Sequence, residues 1–362
     1  MVGLDDFPKN ELEFHERFSD EEKCREYWTR LRWPDGFVCP RCGHQGGWRR
    51  RNREEWVCAA KDCGKETSPR VGTVLHGSRK PVRAWLLAML HMSVNKQGIS
   101  GLRLQRLMGF GSYETAMRWL RELRRVMAPT ETSEKLEGEV EVDENPFGGV
   151  EKGGKGPFVG KTWAVCAVER RGAGCGRARL RALKENSRSA SELCGFVKDS
   201  VKEGSLVITD AAPGYAPLVD MGYRHDPRTM TNGKGGSNGS GLLKLEDGRK
   251  KVEIHLPRVA RVFNLMDRIV LSALQGSFDG RHLQRYLDEY CFRFNRRNTK
   301  TPLGIFQALA ARAVASQCVP YWKSSGRIAP DVPTRKPNDR WKTFGTALRA
   351  TTHLGYGGGD LG

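Results

Sequence analysis

The sequence predicts an α+β protein of several domains, and three observations support this prediction. Cysteines cluster near the N-terminus in a stretch without helical period. Amphipathic helical segments follow, and alternating runs typical of strands begin at Glu139. The length of 362 residues corresponds to about two to three domains. The predicted segments are a helical one at 1–36, a cysteine-rich one at 37–80, a helical one at 81–128, a mixed α/β domain at 139–322, and a disordered Pro-, Gly- and Arg-rich tail at 323–362.

The chain is strongly basic. Its 61 Lys and Arg residues outnumber its 42 Asp and Glu residues, which gives a formal charge of +19. Because Lys and Arg that bind phosphates release condensed counterions, this excess favours a polyanionic partner, above all a nucleic acid. A merely soluble basic protein is the alternative. No run of about 18 apolar residues predicts a membrane span, and the polar segment Met1–Asn10 does not resemble a secretory signal.

Four of the ten cysteines have the spacing of metal ligands. A CxxC pair, Cys39 and Cys42, precedes a second pair, Cys58 and Cys63, with four residues between its members. Without an export signal we expect a reducing compartment, in which clustered thiols bind metal rather than form disulfides. Four sulfur ligands suit one structural zinc, and a segment this small needs such a metal to fold. Four unrelated reduced thiols are the alternative.

Several arginines lie between the two cysteine pairs. On a zinc ribbon they are predicted to lie on the hairpin, in a position to contact phosphates. A solvated run of charges explains them equally well. These residues are Arg49, Arg50, Arg51 and Arg53.

Residues 100–127 have the layout of a helix-turn-helix. The pattern predicts helices at Ser100–Met108 and Tyr113–Met127, and Ser112 is placed to cap the second. Any small helical bundle has a similar pattern, so the assignment to DNA binding depends on the preceding ribbon and on the charge. The second helix is predicted to carry Arg118, Arg121, Arg124 and Arg125 outward and Ala116, Leu120 and Leu123 inward.

From Glu139 onward the sequence predicts strands mixed with helices. The predicted strands are 139–143, 162–168, 177–183 and 205–209. The predicted helices are 189–202, 257–274 and 280–297, and a Gly- and Ser-rich flexible loop is predicted at 232–241.

Two of these strands end in a carboxylate. Asp143 follows the run Glu139–Val142, and Asp210 follows the apolar run Leu206–Thr209. A carboxylate at the end of a buried strand is costly unless it is exposed, caps a turn or holds a cation. Two such ends brought together form a natural Mg²⁺ site for phosphodiester chemistry, whereas two turn caps are the alternative. Glu144 is the weaker candidate ligand, because alternation directs its side chain to the other face of the strand.

These features occur in an order that resembles a known family. The ribbon and the helix-turn-helix precede the motif VEVDE with two glycines, then ITD, and then the segment HLQRYLDEYCFRFNRR. Over about residues 14–321 the chain is similar to bacterial zinc-ribbon insertion-sequence transposases of the DDE superfamily, an ISXO-like group related to Merlin elements. The strongest pieces of the resemblance are Glu141–Gly149, Leu256–Arg268 and His282–Arg297.

The resemblance implies an RNase-H-like catalytic domain that cuts and joins double-stranded DNA at element ends and in target DNA. Asp143 matches the first catalytic aspartate and Asp210 the second, and both would hold Mg²⁺ or Mn²⁺. Further DNA contacts are predicted at Arg268, Arg296 and Arg297, and Arg285 and Arg293 of the same segment as the last two are expected to face DNA as well. Because two ends must be held at once, we expect a homodimer. A cytoplasmic protein associated with the bacterial nucleoid is implied as well.

The third catalytic position departs from the family pattern. Ala260 stands where the family usually has Glu, Asn or His, and Asp267 stands where it usually has Lys. Asp267 is about 10 Å from Ala260 along a helix, whereas Asn264 is only about 6 Å away. Asn264 or Asp267 therefore supplies the third ligand of a rearranged site, or this copy has decayed. A non-catalytic DNA-binding protein and a transcription regulator built on the ribbon and the helix-turn-helix are the rival functions.

Overall fold

A computed structural model describes most of the chain as two compact units, formed by residues 1–87 with 307–362 and by residues 88–306. The predicted tail at 323–362 lies outside the described residues, as does most of the predicted loop at 232–241. The described residues are 7–51, 53–130, 134–148, 161–183, 187–228, 240–244, 250–254, 256–273, 280–299, 301 and 303–316.

The first unit contains two short helices and a small sheet. Helix α1 is Glu11–Arg17 and helix α2 is Glu21–Arg32, and each begins at a side chain that accepts a backbone N–H of its first turn. The apolar face of α2 is buried, and the indole of Trp28 donates to the carbonyl of Pro69 at 3.2 Å. Strands β1 (Gly47–Arg49), β2 (Trp56–Cys58) and β3 (Glu66–Thr67) form an antiparallel sheet in that order.

Helix α3 (Val82–Val94) is followed by the two helices that the sequence predicted, α4 (Gly101–Met108) and α5 (Tyr113–Met127). Ser100 caps α4 and Ser112 caps α5 through their side-chain oxygens. Helix α4 ends at Gly109, whose φ of +61° is left-handed and therefore favours glycine. The two helices approach closely at Gly101, where a Cβ would lie 2.5 Å from the sulfur of Met117.

The second unit is built on a five-stranded mixed sheet. Its strands are β4 (Glu139–Phe147), β5 (Thr162–Arg171), β6 (Gly174–Ala182), β7 (Leu206–Thr209) and β8 (Arg224–Pro227). Their order is β6-β5-β4-β7-β8; β5 is antiparallel to both of its neighbours, and β4, β7 and β8 are parallel. This mixed sheet confirms the RNase-H-like α/β domain.

Helices cover both faces of this sheet. Val140 and Val142 of β4 pack with helix α6 (Ala190–Ser200) and the 3-10 segment Pro213–Leu218. On the opposite face, β5 and β6 pack with helices α7 (Pro257–Ala273) and α8 (Leu283–Phe294). Because side chains alternate along a strand, Glu141 and Asp143 belong to this second face.

Some elements differ from the predictions. Ser240 and Gly241, predicted as loop, begin strand β9 (Ser240–Lys244), which pairs with β10 (Lys250–Ile254). Composition predicts a loop here, but pairing with a second strand overrides local preference. The sequence also missed α1, the polar edge strand β8, and helix α9 (Gly304–Ala315).

Candidate functional site

The four clustered cysteines converge on one point. The Sγ atoms of Cys39 and Cys63 are 3.7 Å apart, those of Cys42 and Cys58 are 3.6 Å apart, and all four lie within 4.8 Å of one another. Four sulfurs each about 2.3 Å from one tetrahedral zinc are about 3.8 Å apart. The geometry therefore fits one zinc ion, and among the described residues no other group of three or more potential ligands is this close.

Tight turns hold these sulfurs together. The N–H of Cys39 donates to the carbonyl of His44 at 2.9 Å, and Gly43, with a φ of +76°, closes the turn. The N–H of His44 also lowers the pKa of the Cys42 thiol to about 7, which favours a thiolate ligand. Burial instead raises the pKa of Cys58 to about 12. Hydrogen bonds among the thiols lower the pKa of Cys42 but raise that of Cys58, and a bound cation stabilises the thiolate form of every ligand.

The ribbon arginines lie on the β1–β2 hairpin, as predicted, but two of them are paired. Arg49 contacts the carboxylate of Glu22 at 2.6 Å, and Arg50 contacts that of Glu66 at 2.5 Å. Arg51 and Arg53 are exposed. Phosphate contacts by these residues stay a prediction, and for Arg49 and Arg50 such contacts must compete with existing ion pairs.

The prediction that all four arginines of α5 point outward was wrong for Arg124. Its side chain is 4% exposed, and its Nε donates to Glu289 of α8 at 2.7 Å. A long-range partner explains the burial, because an arginine facing a core needs a carboxylate there. Arg118 is exposed. The other two are partly buried and paired within their own helix: Arg121 with Glu114 at 3.0 Å and Arg125 with Glu122 at 3.1 Å.

The sheet register brings Asp143 and Asp210 side by side. Glu141 of β4 pairs with Ile208 of β7 as the last pair of the parallel ladder. Two residues further along, Asp143 lies in the middle of β4, not at its end as predicted, because β4 continues to Phe147 in its pairing with β5. Asp210 directly follows the last residue of β7. Asp210 is exposed and accepts the N–H of Ala212 at 3.0 Å. Ala211, which lies between Asp210 and Ala212 in this turn, has a φ of +64°, a left-handed conformation that costs an L-residue of order 1–3 kcal/mol. This strained turn orients the second aspartate.

The electrostatics of this acidic centre oppose ionisation. Burial, together with the negative charges of Glu144 and Asp210, raises the pKa of Asp143 to about 7. Burial also raises the pKa of Glu144, although the hydroxyl of Tyr215 donates to it at 2.6 Å and lowers that pKa. Since Tyr215 packs with Val140 and Val142, Glu144 faces the side of β4 opposite to Asp143, as alternation predicted.

Sequence reasoning missed Glu141, which anchors helix α7 to this centre. Glu141 is fully buried and accepts the backbone N–H groups of Arg258 at 2.7 Å and Val259 at 3.2 Å. It also pairs with the guanidinium of Arg258 at 3.1 Å. Further along β4, the ring of Phe147 lies 5.9 Å from that of Phe263. These contacts lie on either side of Asp143 along the strand. The alternation that places Glu141 and Asp143 on one face was the available signal.

The three residues considered for the third position differ in their surroundings. Ala260 lies in the first turn of α7, next to the N–H groups that Glu141 accepts, and offers no ligand atom. Asn264 is exposed. Asp267 is partly buried, which raises its pKa, while the charge of Lys161 lowers it. A lysine near Asp267 partly offsets the negative charge that the sequence places there.

The arginines near the end of α8 make more contacts with other residues of the protein than the sequence predicted. Arg293, predicted to face DNA, is buried and lies 3.5 Å from Glu289, so that prediction was wrong. Arg296 stacks on Phe292 at 4.1 Å from its ring centroid, and Arg297 stacks on Phe294 at 4.0 Å. Arg268 is exposed on α7. DNA contacts by Arg268, Arg296 and Arg297 stay predictions.

The residues of the acidic centre fit a divalent cation in their chemistry. Asp143 and Asp210 offer carboxylate oxygens, the ligands that Mg²⁺ and Mn²⁺ prefer. Burial raises the pKa of Asp143, and the negative charges of Glu144 and Asp210 raise it further; a bound cation would offset both effects. Across the described part of the chain, no helix is both long and apolar enough to cross a membrane.

Comparison with known families gives two matches. Residues 19–66 match the transposase zinc-ribbon domain, and residues 135–295 match the ISXO2-like transposase domain. The first match contains all four clustered cysteines. The second contains β4 to β8, both aspartates, and helices α7 and α8. No curated protein is significantly similar to the chain in sequence.

Proposed function

Because the chain belongs to the zinc-ribbon, ISXO2-like transposases of the DDE superfamily, we propose that it binds the ends of its own element and catalyses metal-dependent DNA cleavage and strand transfer. One observation carries this proposal: Asp143 on β4 and Asp210 directly after β7 belong to neighbouring parallel strands of an RNase-H-like sheet, and the charge of Asp210 acts on Asp143. If Asp143 and Asp210 only capped turns, neither the strained backbone at Ala211 nor the burial of the Asp143 carboxylate would be required.

Within this proposal, Asp143 and Asp210 hold Mg²⁺ or Mn²⁺. Such ions activate an attacking oxygen and stabilise the leaving oxygen of a phosphodiester. Glu141 positions α7 by accepting its first N–H groups, and thereby fixes the third position relative to Asp143. Asn264 and Asp267 remain the candidate third ligands if the site is active, since Ala260 offers none.

The N-terminal residues serve recognition in this proposal. The cysteine cluster supports a structural zinc, which holds the hairpin that presents Arg51 and Arg53. Arg118 on α5 is the exposed residue proposed to read the element end, with Arg121 and Arg125 beside it. Two copies of the chain hold the two ends, so the proposal includes a homodimer.

A strand-transfer assay tests the enzymatic proposal. Full-length, zinc-loaded protein is incubated with labelled DNA carrying the element's own ends, a target plasmid, and Mg²⁺ or Mn²⁺. The proposal predicts joined products that Asp143→Asn and Asp210→Asn both abolish while end binding persists. Products that survive both substitutions would show that these aspartates do not catalyse the reaction.

The second candidate function is a DNA-binding protein without catalysis. The methyl group of Ala260 at the third position supports it. Under this alternative the protein binds the element ends specifically but gives no joined product with either metal. Recognition of a promoter in place of the ends would instead favour a transcription regulator.

A further inference from the structure

A polar groove lies between the α3–α4 loop and helix α7, away from the acidic centre. Its volume is about 310 Å³, and its walls include Lys96, Gln97, Ser100 and Arg103 on one side and Ser272 on the other. Lys96, Gln97 and Arg103 are exposed. All of these residues belong to the unit that contains the sheet.

The groove is cationic, because Lys96 and Arg103 are among the residues that line it. No carboxylate is among the described residues that line it. The basic groove beside the ribbon hairpin differs, because Glu22 and Glu54 line it together with its arginines. The exposed Arg268 lies one helical turn before Ser272 on α7 and adds a further positive charge near the groove. An anionic partner is therefore favoured at this groove more than at the hairpin.

A buried charge network holds the loop from below. Arg293 donates to the carbonyl of Asn95, and Arg124 donates to that of Ile99 at 3.4 Å. Both arginines contact Glu289, at 3.5 Å and 2.7 Å. Burying three charges is costly unless they contact one another and are hydrogen-bonded. The same arginines that contact Glu289 also bind the loop carbonyls of Asn95 and Ile99, and these contacts hold the loop backbone in one conformation. The inward side of the loop is thus fixed, while Lys96 and Gln97 face solvent.

We propose that this groove binds the phosphate backbone of the element-end duplex, with Lys96 and Arg103 contacting phosphates. The proposal rests on the proposed transposase function and adds contacts outside the ribbon and α5. A cationic and polar surface whose described lining residues include no carboxylate suits a sequence-independent phosphate contact, which fixes the register of the duplex.

The position of the groove on α7 sets a distance along the DNA. Ser272 lies twelve residues beyond Ala260 on the same helix, which is about 18 Å at about 1.5 Å per residue. A duplex rises about 3.4 Å per base pair, so this distance spans about five base pairs. If the duplex runs parallel to α7, the phosphates held in the groove are about five base pairs from the phosphate at the acidic centre.

The test is a salt series on the full-length, zinc-loaded protein. Anisotropy of a labelled duplex carrying one element end gives the affinity of the wild type and of the Lys96→Ala/Arg103→Ala variant. Losing two phosphate contacts should lower the slope of log K against log salt by about 2 and weaken binding about tenfold at 0.15 M salt. Random duplex should be affected equally.

A matched control removes two exposed cations elsewhere in the same unit, Lys198 on α6 and Arg224 on β8, at the opposite face and the far edge of the sheet. This Lys198→Ala/Arg224→Ala variant should keep the wild-type slope. Hydroxyl-radical footprinting should show protection about five base pairs from the cleavage position, lost in the groove variant alone.

The outcomes separate the two proposals. A wild type that binds element ends, with an unchanged slope in the groove variant, overturns the groove proposal and leaves the transposase proposal intact. Equal losses in both double variants also overturn it, because a general charge effect then explains the binding. A wild type that binds no duplex overturns the proposed function and the groove proposal together.

Discussion

At the scale of single residues, Asp143 is ionised only at a free-energy cost. Burial and the charges of Glu144 and Asp210 oppose its ionisation, while the N–H of Glu144, 2.9 Å from Oδ1, lowers its pKa slightly. An acid whose pKa is higher in the folded chain binds more protons when folded than when unfolded. Its contribution to stability is therefore lost as pH rises from the ordinary value of 3.8 toward about 7.

Asp143→Asn should consequently stabilise the zinc-loaded protein when no magnesium is added. The increase in Tm should be larger at pH 8 than at pH 5, because the wild type carries the unfavourable charge only at the higher pH. Thermal unfolding at both pH values measures this difference. Asp220→Asn, at an exposed position, is the control and should change Tm equally little at both. A larger gain at pH 5 would contradict the explanation.

The cysteines allow a separate prediction at this scale. Because the four sulfurs already lie at zinc-ligand separations, the purified protein should hold one tightly bound zinc per chain. Replacing Cys58 by Ser should abolish this zinc, whereas Cys175→Ser should retain it, since Cys175 lies outside the cluster. Elemental analysis of protein prepared under reducing conditions without chelator counts the metal. A zinc-free wild type would disprove the site.

At the scale of helices and strands, most elements were predictable because their causes are local. Alternation predicted β4 and β5, and serine caps with apolar periodicity predicted α4 and α5. The sequence missed β8, whose residues are mostly polar and which is held by parallel pairing with β7. It also misplaced Arg124, because nothing near it in sequence reveals Glu289, its partner on α8. Long-range partners decide such positions.

Arg124 and Arg118 on α5 form a matched pair for mutation. Arg124→Ala should lower the free energy of unfolding by about 3–5 kcal/mol, because it leaves Glu289 buried with only the more distant Arg293. Arg118→Ala, on the exposed side, should change it by about 0.5 kcal/mol or less. Urea unfolding monitored by circular dichroism compares the two variants. Equal effects would show that the buried network contributes nothing beyond a surface charge.

Arg118 also tests whether helix α5 reads DNA bases. Arg118→Ala should weaken binding to the element end more than to random duplex if α5 reads bases. Equal losses on both duplexes would reduce Arg118 to a phosphate contact. Because Arg121 is partly buried whereas Arg118 is exposed, replacing Arg121 by Ala should cost less binding than replacing Arg118.

At the scale of the whole molecule, the helices α4 and α5 belong to the same compact unit as the catalytic-type sheet. The sequence had predicted them in a separate segment, since composition and periodicity change near residue 130. Packing of α5 on α8 and the buried Arg–Glu–Arg contacts were not visible in local patterns. DNA held by these helices would therefore keep a fixed distance from Asp143.

Different residues are proposed to bind DNA and to catalyse strand transfer, so this copy can bind DNA and still be inactive. The residues proposed for DNA contact are present, but Ala260 offers no ligand atom at the third position. A second metal ion needs a further oxygen ligand, and the family resemblance assigns that ligand to the position of Ala260 on α7. We therefore expect near-normal binding of the element ends together with weak or absent strand transfer.

Replacing Ala260 by Glu together with Asp267 by Lys should then raise strand transfer, by orders of magnitude if the third ligand alone was limiting. The added Glu lies in the turn that Glu141 holds beside Asp143, and the added Lys removes a charge that repels the DNA backbone. Lys161 near Asp267 makes the second substitution the less important one, so Ala260→Glu alone should give most of the gain. The assay compares both variants with Asp143→Asn as the inactive control. If the unmodified protein already joins ends efficiently, the site is rearranged, and Asn264→Ala and Asp267→Ala then identify which residue supplies the third ligand.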